Sequence, residues 1–404
     1  MAGRDSALVP DRIVPETTKT HYYPALDGMR TIAIALVFLV HLLPEAVPFG
    51  WFGVYIFFVL SGFLITGILF DSRETAHRYK NFYARRALRI FPLYYGVLLL
   101  LTVAKWMTHG TAPPFFWLWF VYLQNYFWTA THGMASDFLV SGGGHAFAAI
   151  GHFWTLAIEE QFYLLWPPIV FLVRSRRRLM QVCVACVVAR VLLTIYLQAH
   201  SPQVFQDGGV LYRTLPTQCD GFLVGGLLAL WLRGKPSPKV IDYAGLMAGA
   251  AILLFSGLLT LLRFEPGWIG GGDAFSALSG FQNTIGITLL SLVSAIFLLA
   301  VTQPGSWAYR CCNLAPMRSL GRVSYGLYVY HLPLFVITGG RLLRLFGKHS
   351  AGDLAVIHAV LTVVATVLVS YISFDLYEKR FLLLKNRFTS IQGAREKQVA
   401  AHPL

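Results

Sequence analysis

The sequence predicts an all-α fold, a multi-pass transmembrane helix bundle of about ten spans. Three observations carry this expectation. Hydrophobic residues make up 56% of the 404 and charged residues only 13%, against about 25% charged in a typical soluble domain. Apolar runs near 20 residues recur along the chain, the length that crosses the hydrocarbon core of a bilayer. The formal charge of +14 gathers beside these runs, as membrane topology requires, so no nucleic acid is expected as a partner.

In chain order, the runs place helices at 29–43, 51–70, 90–107, 153–173, 179–199, 218–232, 240–262, 283–302, 323–345 and 354–377. Segment 218–232 is short for a span, and Gly221, Gly225 and Gly226 predict close helix packing there. The stretch FFWLWFVYLQNYFW, 115–128, is apolar but only fourteen residues long. Making it a crossing would put the cluster Arg174, Arg176, Arg177 and Arg178 outside, so an interfacial or re-entrant segment is expected. It leads into a long outward Gly-rich loop, 133–152.

The basic connections then fall on one side, which puts both termini in the cytoplasm of a cell in whose inner or plasma membrane the bundle sits. Residues 1–24 read as a polar cytoplasmic segment with no cleavable signal, 25–380 as one transmembrane domain and 381–404 as a basic cytoplasmic tail. The five cysteines have no zinc spacing, and Cys183 with Cys186 suits core packing better than redox chemistry. His145 and His152 in the Gly-rich segment are a weak metal signal, and no metal is expected.

Four stretches place polar groups where a passive bundle needs none. In RTIAIALVFLVH, 30–41, Arg30 and His41 are eleven residues apart. That separation is about three turns, or roughly 16 Å along one helix face. Spacing alone supports a functional path through the membrane and a snorkelling arginine with an interfacial histidine equally. In FYARRALRIFPLYY, 82–95, Arg86 and Arg89 share a face, and paired guanidiniums suit phosphate recognition; Arg85 reads as topogenic charge.

In HFWTLAIEEQFYLLWP, 152–167, Glu160 and Tyr163 lie one turn apart while Glu159 points elsewhere. Two acids at a helix start are favoured by its dipole, but the aromatic setting, Trp154 included, disfavours solvating both. A carboxylate held there could orient a histidine or a substrate hydroxyl. In GRVSYGLYVYHLPLF, 321–335, His331 precedes Pro333; a satisfied core histidine and a pore-lining one are both open. Arg190, Asp220 and Asp375 are expected to be buried charges without a local motif.

Together with LDGMRTIAIALVFLVH (26–41) and GVYIFFVLSGFLI (53–65), these stretches occur in an order that resembles acyltransferase family 3, over roughly residues 22 to 380. The resemblance implies transfer of an acyl group, often acetyl, from cytoplasmic acyl-CoA to a hydroxyl of a sugar, glycan, lipid or small metabolite, with no tightly bound cofactor. It implies that His41, matching the family histidine, is the catalytic base with Arg30 and Glu160 beside it. It further implies that Arg86 and Arg89 meet the acyl-CoA, and that Glu159, Tyr163, Trp154 and His331 line a pore or acceptor site.

The sequence departs from the family pattern where Tyr55 stands for the usual Asp, Thr155 for Ser, and Glu378-Lys379-Arg380 for Glu-x-Pro. Some members carry a fused extracytoplasmic hydrolase-like domain. This sequence contains none, so transfer is expected to end within the bundle or on a separate partner. The rival reading, a transporter or flippase of a lipid-linked glycan, also needs polar residues inside a bundle, but neither an inverted repeat nor paired broken helices are evident.

The topology is testable directly. In a cysteine-free background, Ser141→Cys should react with an impermeant thiol reagent from outside and Ser175→Cys only after the membrane is opened. Reversed accessibility would overturn the ten-span arrangement.

Overall fold

The computed structural model describes residues 23–43, 47, 49–109, 116–127, 150–205, 210–234, 236–264, 280–346 and 351–388. Most of the expected terminal segments and of the loop at 133–152, His145 included, lie outside the described residues. The described residues form helices and turns and contain no strand. This is what an apolar solvent dictates, because a helix satisfies its own backbone N–H and C=O groups.

Numbering the helices of eight residues or more gives α1 (Ala25–Leu42), α2 (Phe52–Asp71), α3 (Arg78–His109), α4 (Trp154–Leu172), α5 (Arg176–His200) and α6 (Asp220–Leu232). They continue with α7 (Ala244–Phe264), α8 (Ile287–Val301), α9 (Ala315–Arg322), α10 (Ser324–Phe346) and α11 (Ala351–Ser373). Every expected span is helical. Seven helices among the described residues are long and apolar enough to cross a membrane, and the expected spans at 153–173, 218–232 and 323–345 are not among them.

Three features differ from the sequence expectation. Helix α3 begins twelve residues before the expected 90, because its polar first turns carry the arginine cluster. The basic connection before α10 is itself helical, forming α9. The chain beyond 378 is not yet a free tail: helix Lys379–Leu384 and the turn Lys385–Arg387 fold against α3, with Arg85 donating to the carbonyls of Lys385 at 3.4 Å and Phe388 at 3.0 Å.

The aromatic run at 115–128 contains one helical turn, Trp117–Phe120. Tyr94 and Tyr95, halfway along α3, donate to the carbonyls of Trp119 and Phe120, each at 2.8 Å. Since Tyr94 lies fifteen residues before the end of α3, or about 22 Å, the chain has turned back into the bundle. It is re-entrant, not superficial. Gln124 and Asn125 are fully buried, donating to the carbonyls of Phe153 (3.1 Å) and Arg213 (2.9 Å). Irregular backbone is tolerated at such depth when protein surrounds it.

Close backbone packing joins α2 to α6. A Cβ added at Gly62 would run into the carbonyl oxygen of Phe222, and one at Gly225 into that of Val59. The expected glycine contact is therefore real, and the two backbones meet with no side chain between them. Arg190 and Asp220 form a buried ion pair at 3.5 Å. Arg190 also donates to the carbonyls of Thr217 (2.9 Å), Asn283 (3.0 Å) and Thr284, and Asp220 accepts from Thr288 at 2.5 Å. These bonds tie α5, α6 and α8 together. Asp375 is exposed, 3.8 Å from Lys379, so it is a surface residue and not the buried charge expected.

Gly225→Ala should destabilise the purified protein by about 1–3 kcal/mol through overpacking. Gly257→Ala, where an added Cβ meets nothing within 4 Å, should be neutral or stabilising by up to about 1 kcal/mol. Thermal inactivation in detergent distinguishes the two, and equal midpoints would disprove the close approach.

Candidate active site

One face of α2 builds the wall of a cavity. Val54, Phe57, Ser61, Leu64 and Ile68 recur at helical spacing and line a space of about 490 Å³. From Val54 to Ile68 it follows about 21 Å of helix. The remaining walls come from Asp27 and Arg30 of α1, Arg86 and Arg89 of α3, Thr155, Glu159 and Tyr163 of α4, Tyr325 and Tyr328 of α10, and Glu378 and Lys385 beyond α11.

The carboxylates on this cavity are all engaged. Asp27 is ion-paired with Arg30 one turn on. Ser61 donates to Glu159 Oε1 at 3.0 Å and accepts from Tyr163 Oη at 3.0 Å. Glu378 Oε1 accepts from Ser373 at 3.1 Å. The cations are less well served. The Arg86 guanidinium lies 4.9 Å over the Tyr163 ring, yet among the described residues Arg86, Arg89 and the Lys385 amine have no hydrogen-bond or ion-pair partner. Arg89 stays exposed although helices surround it, because it faces the cavity. Burial, reinforced by Arg89, Arg86 and Arg85, pushes the Lys385 amine down to about 7. Unpartnered cations around an apolar-walled space make a receptor for an anion with an apolar extension.

The opposite end of the cavity is closed by a contact between Tyr328 Oη and Thr155 Oγ1 at 2.5 Å. The His152 carbonyl lies 3.1 Å from the Tyr328 hydroxyl and 2.9 Å from that of Thr155, so one hydroxyl donates to it while the other donates across the contact. Past this contact lie three imidazoles, His41, His331 and His152. The His331 centroid is 5.2 Å from that of His41 and 4.6 Å from that of His152. His41 Nδ1 is 2.7 Å from the Val37 carbonyl. A carbonyl only accepts, so Nδ1 carries the hydrogen and the Nε2 lone pair is left for chemistry.

The expected site is thus brought together only in part. Arg30, Arg86, Arg89, Glu159 and Tyr163 share the cavity, but His41 does not line it, since three turns of α1 carry it beyond the Tyr328–Thr155 contact. The carboxylates exchange places. Glu159, four residues before Tyr163, faces Ser61, whereas Glu160 is rotated by about 100° and sits off the cavity, its Oε1 buried with no partner among the described residues. His331 is a buried residue of the imidazole cluster, not a lining of this cavity. Trp154 packs toward Tyr212, ring centroids 6.0 Å apart, also away from it.

Sequence reading missed Ser61, Tyr328 and Lys385. Ser61, a lone hydroxyl within VLSGFLI, offered a signal. Tyr328 and Lys385 offered none, the first being one of several tyrosines and the second part of an apparent tail. Among the described residues no group of three His, Cys, Asp or Glu could hold a metal ion.

Residues 23–375 match the model of an acyltransferase domain, the third of the acyltransferase families so described. The chain belongs to acyltransferase family 3. Its relatives include the peptidoglycan O-acetyltransferase OatA of Listeria monocytogenes, 28% identical over 93% of this chain and 58% of the relative. Bacillus subtilis YrhL, provisionally named a peptidoglycan O-acetyltransferase, is 28% identical over 90% of this chain and 55% of its own. The chain therefore spans just over half the length of these two relatives. No solved structure matches it.

The departures from the family pattern have local explanations. Tyr55 is buried, with its hydroxyl donating to Gln218 Oε1 at 2.6 Å, so this position supplies packing and a hydrogen bond where the family pattern has a carboxylate. Thr155 keeps the hydroxyl of the usual Ser and uses it to close the cavity. Glu378 retains its carboxylate on the cavity without the following Pro.

The lowered Lys385 value has a pH consequence. Above about 7 the amine is mostly neutral, and a bound anion restores its proton. Binding of inorganic sulfate, which does not itself titrate between pH 6 and 8, should therefore take up close to one proton near pH 8 and almost none near pH 6. Lys385→Arg, charged throughout, should abolish the uptake. Calorimetry in buffers of different ionisation enthalpy reads this out, and buffer-independent heats in the wild-type protein at pH 8 would refute it.

Proposed function

We propose that this chain is a membrane O-acyltransferase that moves an acyl group, acetyl by analogy with its relatives' names, from acyl-CoA to a hydroxyl of a peptidoglycan-like glycan. The observation that carries the reading is the pair Arg86 and Arg89, without a hydrogen-bond or ion-pair partner among the described residues, on a cavity walled by the largely apolar face of α2. Guanidiniums suit the phosphates of coenzyme A, and the α2 face suits its uncharged arm and acyl group. The arginine-rich end is then the cytoplasmic one, in an inner or plasma membrane, and the glycan acceptor approaches from the opposite end. Lipid or metabolite hydroxyls remain chemically equivalent acceptors.

His41 supplies the base. With Nδ1–H held by the Val37 carbonyl, Nε2 takes the acceptor hydroxyl proton as its oxygen attacks the thioester carbon. The new C–O bond forms, the C–S bond breaks and coenzyme A leaves as the thiol after taking back a proton. The Tyr328–Thr155 contact separates the cavity from His41, so transfer requires that contact to open and admit the thioester. Positively charged Arg30, paired with Asp27, stays on the donor side and adds to the field that draws phosphates in.

The test uses purified protein and [14C]acetyl-CoA. Wild type should release coenzyme A slowly in detergent and label glycan in membranes. His41→Gln should lose about 10²–10⁴ in rate, the usual worth of a general base, while retaining coenzyme A affinity, because the phosphates are held by Arg86 and Arg89. A folded His41→Gln protein turning over at the wild-type rate would remove His41 from the reaction. Absence of any coenzyme A release or labelling by wild type would remove the donor.

A further inference from the structure

We propose that the Tyr328 hydroxyl polarises the thioester carbonyl and stabilises the oxyanion of acyl transfer, a role that rests on the acyl-transfer reading above. Three oxygens meet at the closed end of the cavity. The Tyr328 and Thr155 hydroxyls are 2.5 Å apart, and the His152 carbonyl lies 3.1 Å from the first and 2.9 Å from the second. Two hydrogens serve them, one going to the carbonyl and the other across the contact. Thr155 is the nearer to that carbonyl, which sits three residues before it. A phenol is more acidic than an aliphatic alcohol and so the stronger donor. The hydrogen across the contact is therefore that of Tyr328, and it meets only a neutral hydroxyl. Two other tyrosines on the cavity are committed to the fold, Tyr163 donating to Ser61 and Tyr325 to the Ile90 carbonyl, each at 3.0 Å. At Tyr328 a strong donor faces a weak acceptor, which leaves it open to a better one.

A thioester carbonyl reaching that end of the cavity is such an acceptor. When its oxygen takes the place of Thr155 Oγ1, the contact that closes the cavity is broken, and the group that barred the way holds the reacting carbonyl. Thr155 keeps its own donation to the His152 carbonyl. The placement suits the chemistry, because Tyr328 and His41 flank one imidazole, His331, with ring centroids 5.5 and 5.2 Å from its own. Edge-on contacts with Phe57 at 6.2 Å and His152 at 5.0 Å hold the phenol ring, so packing aims the hydroxyl whichever oxygen it serves. As the acceptor oxygen attacks, its proton passes to His41 Nε2 and the carbonyl π electrons move onto the thioester oxygen. Charge developing there, away from water, is where a fixed donor matters most. Tyr328 gives that oxygen a hydrogen bond and keeps its proton. Collapse re-forms the carbonyl and breaks the C–S bond, and the thiolate takes the proton back from His41 Nε2.

Tyr328→Phe tests this, because it removes the oxygen and keeps the ring. Coenzyme A release from acetyl-CoA should fall by about 10²–10³, the usual worth of one oxyanion donor, at unchanged acetyl-CoA affinity. A hydroxyl that merely latched the cavity would give the opposite result, so a rate equal to or above wild type overturns the proposal. The carbonyl itself is read by isotope-edited infrared spectroscopy of 13C-labelled acetyl-CoA bound to His41→Gln protein, which keeps the donor while reacting slowly. The thioester band should lie below that of free acetyl-CoA and return toward it when Tyr328→Phe is added. A band unmoved by binding overturns the role, and so does a slower variant whose band is as low as before, since its loss is structural. Should Tyr328→Phe fail to fold, 3-fluorotyrosine at position 328, a stronger donor of nearly the same shape, should lower the band further, and an unchanged band overturns the role. If wild type neither binds acetyl-CoA nor releases coenzyme A, it is the acyl-transfer reading that fails, whereas turnover with an unmoved band removes Tyr328 alone.

Discussion

Five cations, Arg322 at the end of α9 being the fifth, and three carboxylates face one cavity inside an apolar bundle, and the surrounding architecture follows from that imbalance. Charge in a low-dielectric interior must be paired, hydrogen-bonded or hydrated. The carboxylates are already taken: Asp27 by Arg30, Glu159 by Ser61, and Glu378 by Ser373. Arg86, Arg89 and Lys385 are left facing one another across open space, and the amine, the only one of the three that gives up its proton readily, falls to about 7. A bundle built for stability alone would not hold this surplus. On the proposed reading an anion meets these guanidiniums, and the apolar face of α2 fixes what else that anion must carry.

Tyr328 links this cavity to the imidazoles beyond it. Its hydroxyl closes the cavity against Thr155, while its carbonyl accepts hydrogen bonds from both His331 and His152. Access and tautomer therefore depend on the same residue. A rotation of the side chain alone opens the way and leaves the imidazoles held, because the carbonyl belongs to the α10 backbone. A displacement of that backbone would disturb both at once.

What could be read from the sequence was whatever the bilayer or a single helix dictates. Apolar runs gave the helices because the backbone has no other way to satisfy itself in lipid, and the arginine pair at 86 and 89 was evident because three residues make one turn. The choice between Glu159 and Glu160 was not legible. Adjacent residues differ by about 100°, and an almost wholly apolar helix gives no pattern to show which side looks inward. The meeting of His41, His152 and His331 joins segments 111 and 179 residues apart, which no local spacing encodes. Lys385 resembled solvated tail charge because its burial depends on the return of Lys379–Leu384 against α3, a tertiary event.

Helix α1 is the element common to both compartments. Arg30 lies on the cavity and His41 beyond its closed end, on one face of a continuous helix and about 16 Å apart. A helix of this kind is stiff, so the distance between the charged end of the site and the imidazole is set by residue count and not by side-chain adjustment. A compact phosphate ester held at Arg86 and Arg89 would leave His41 with nothing to act on. The ligand that uses both ends must be extended, anionic at one end, uncharged along its middle and reactive at the other. Acyl-CoA has that arrangement, with its phosphates separated from the thioester by an uncharged arm. On the proposed acyl-CoA reading, the eleven residues from Arg30 to His41 set the distance over which the acyl group has to be delivered.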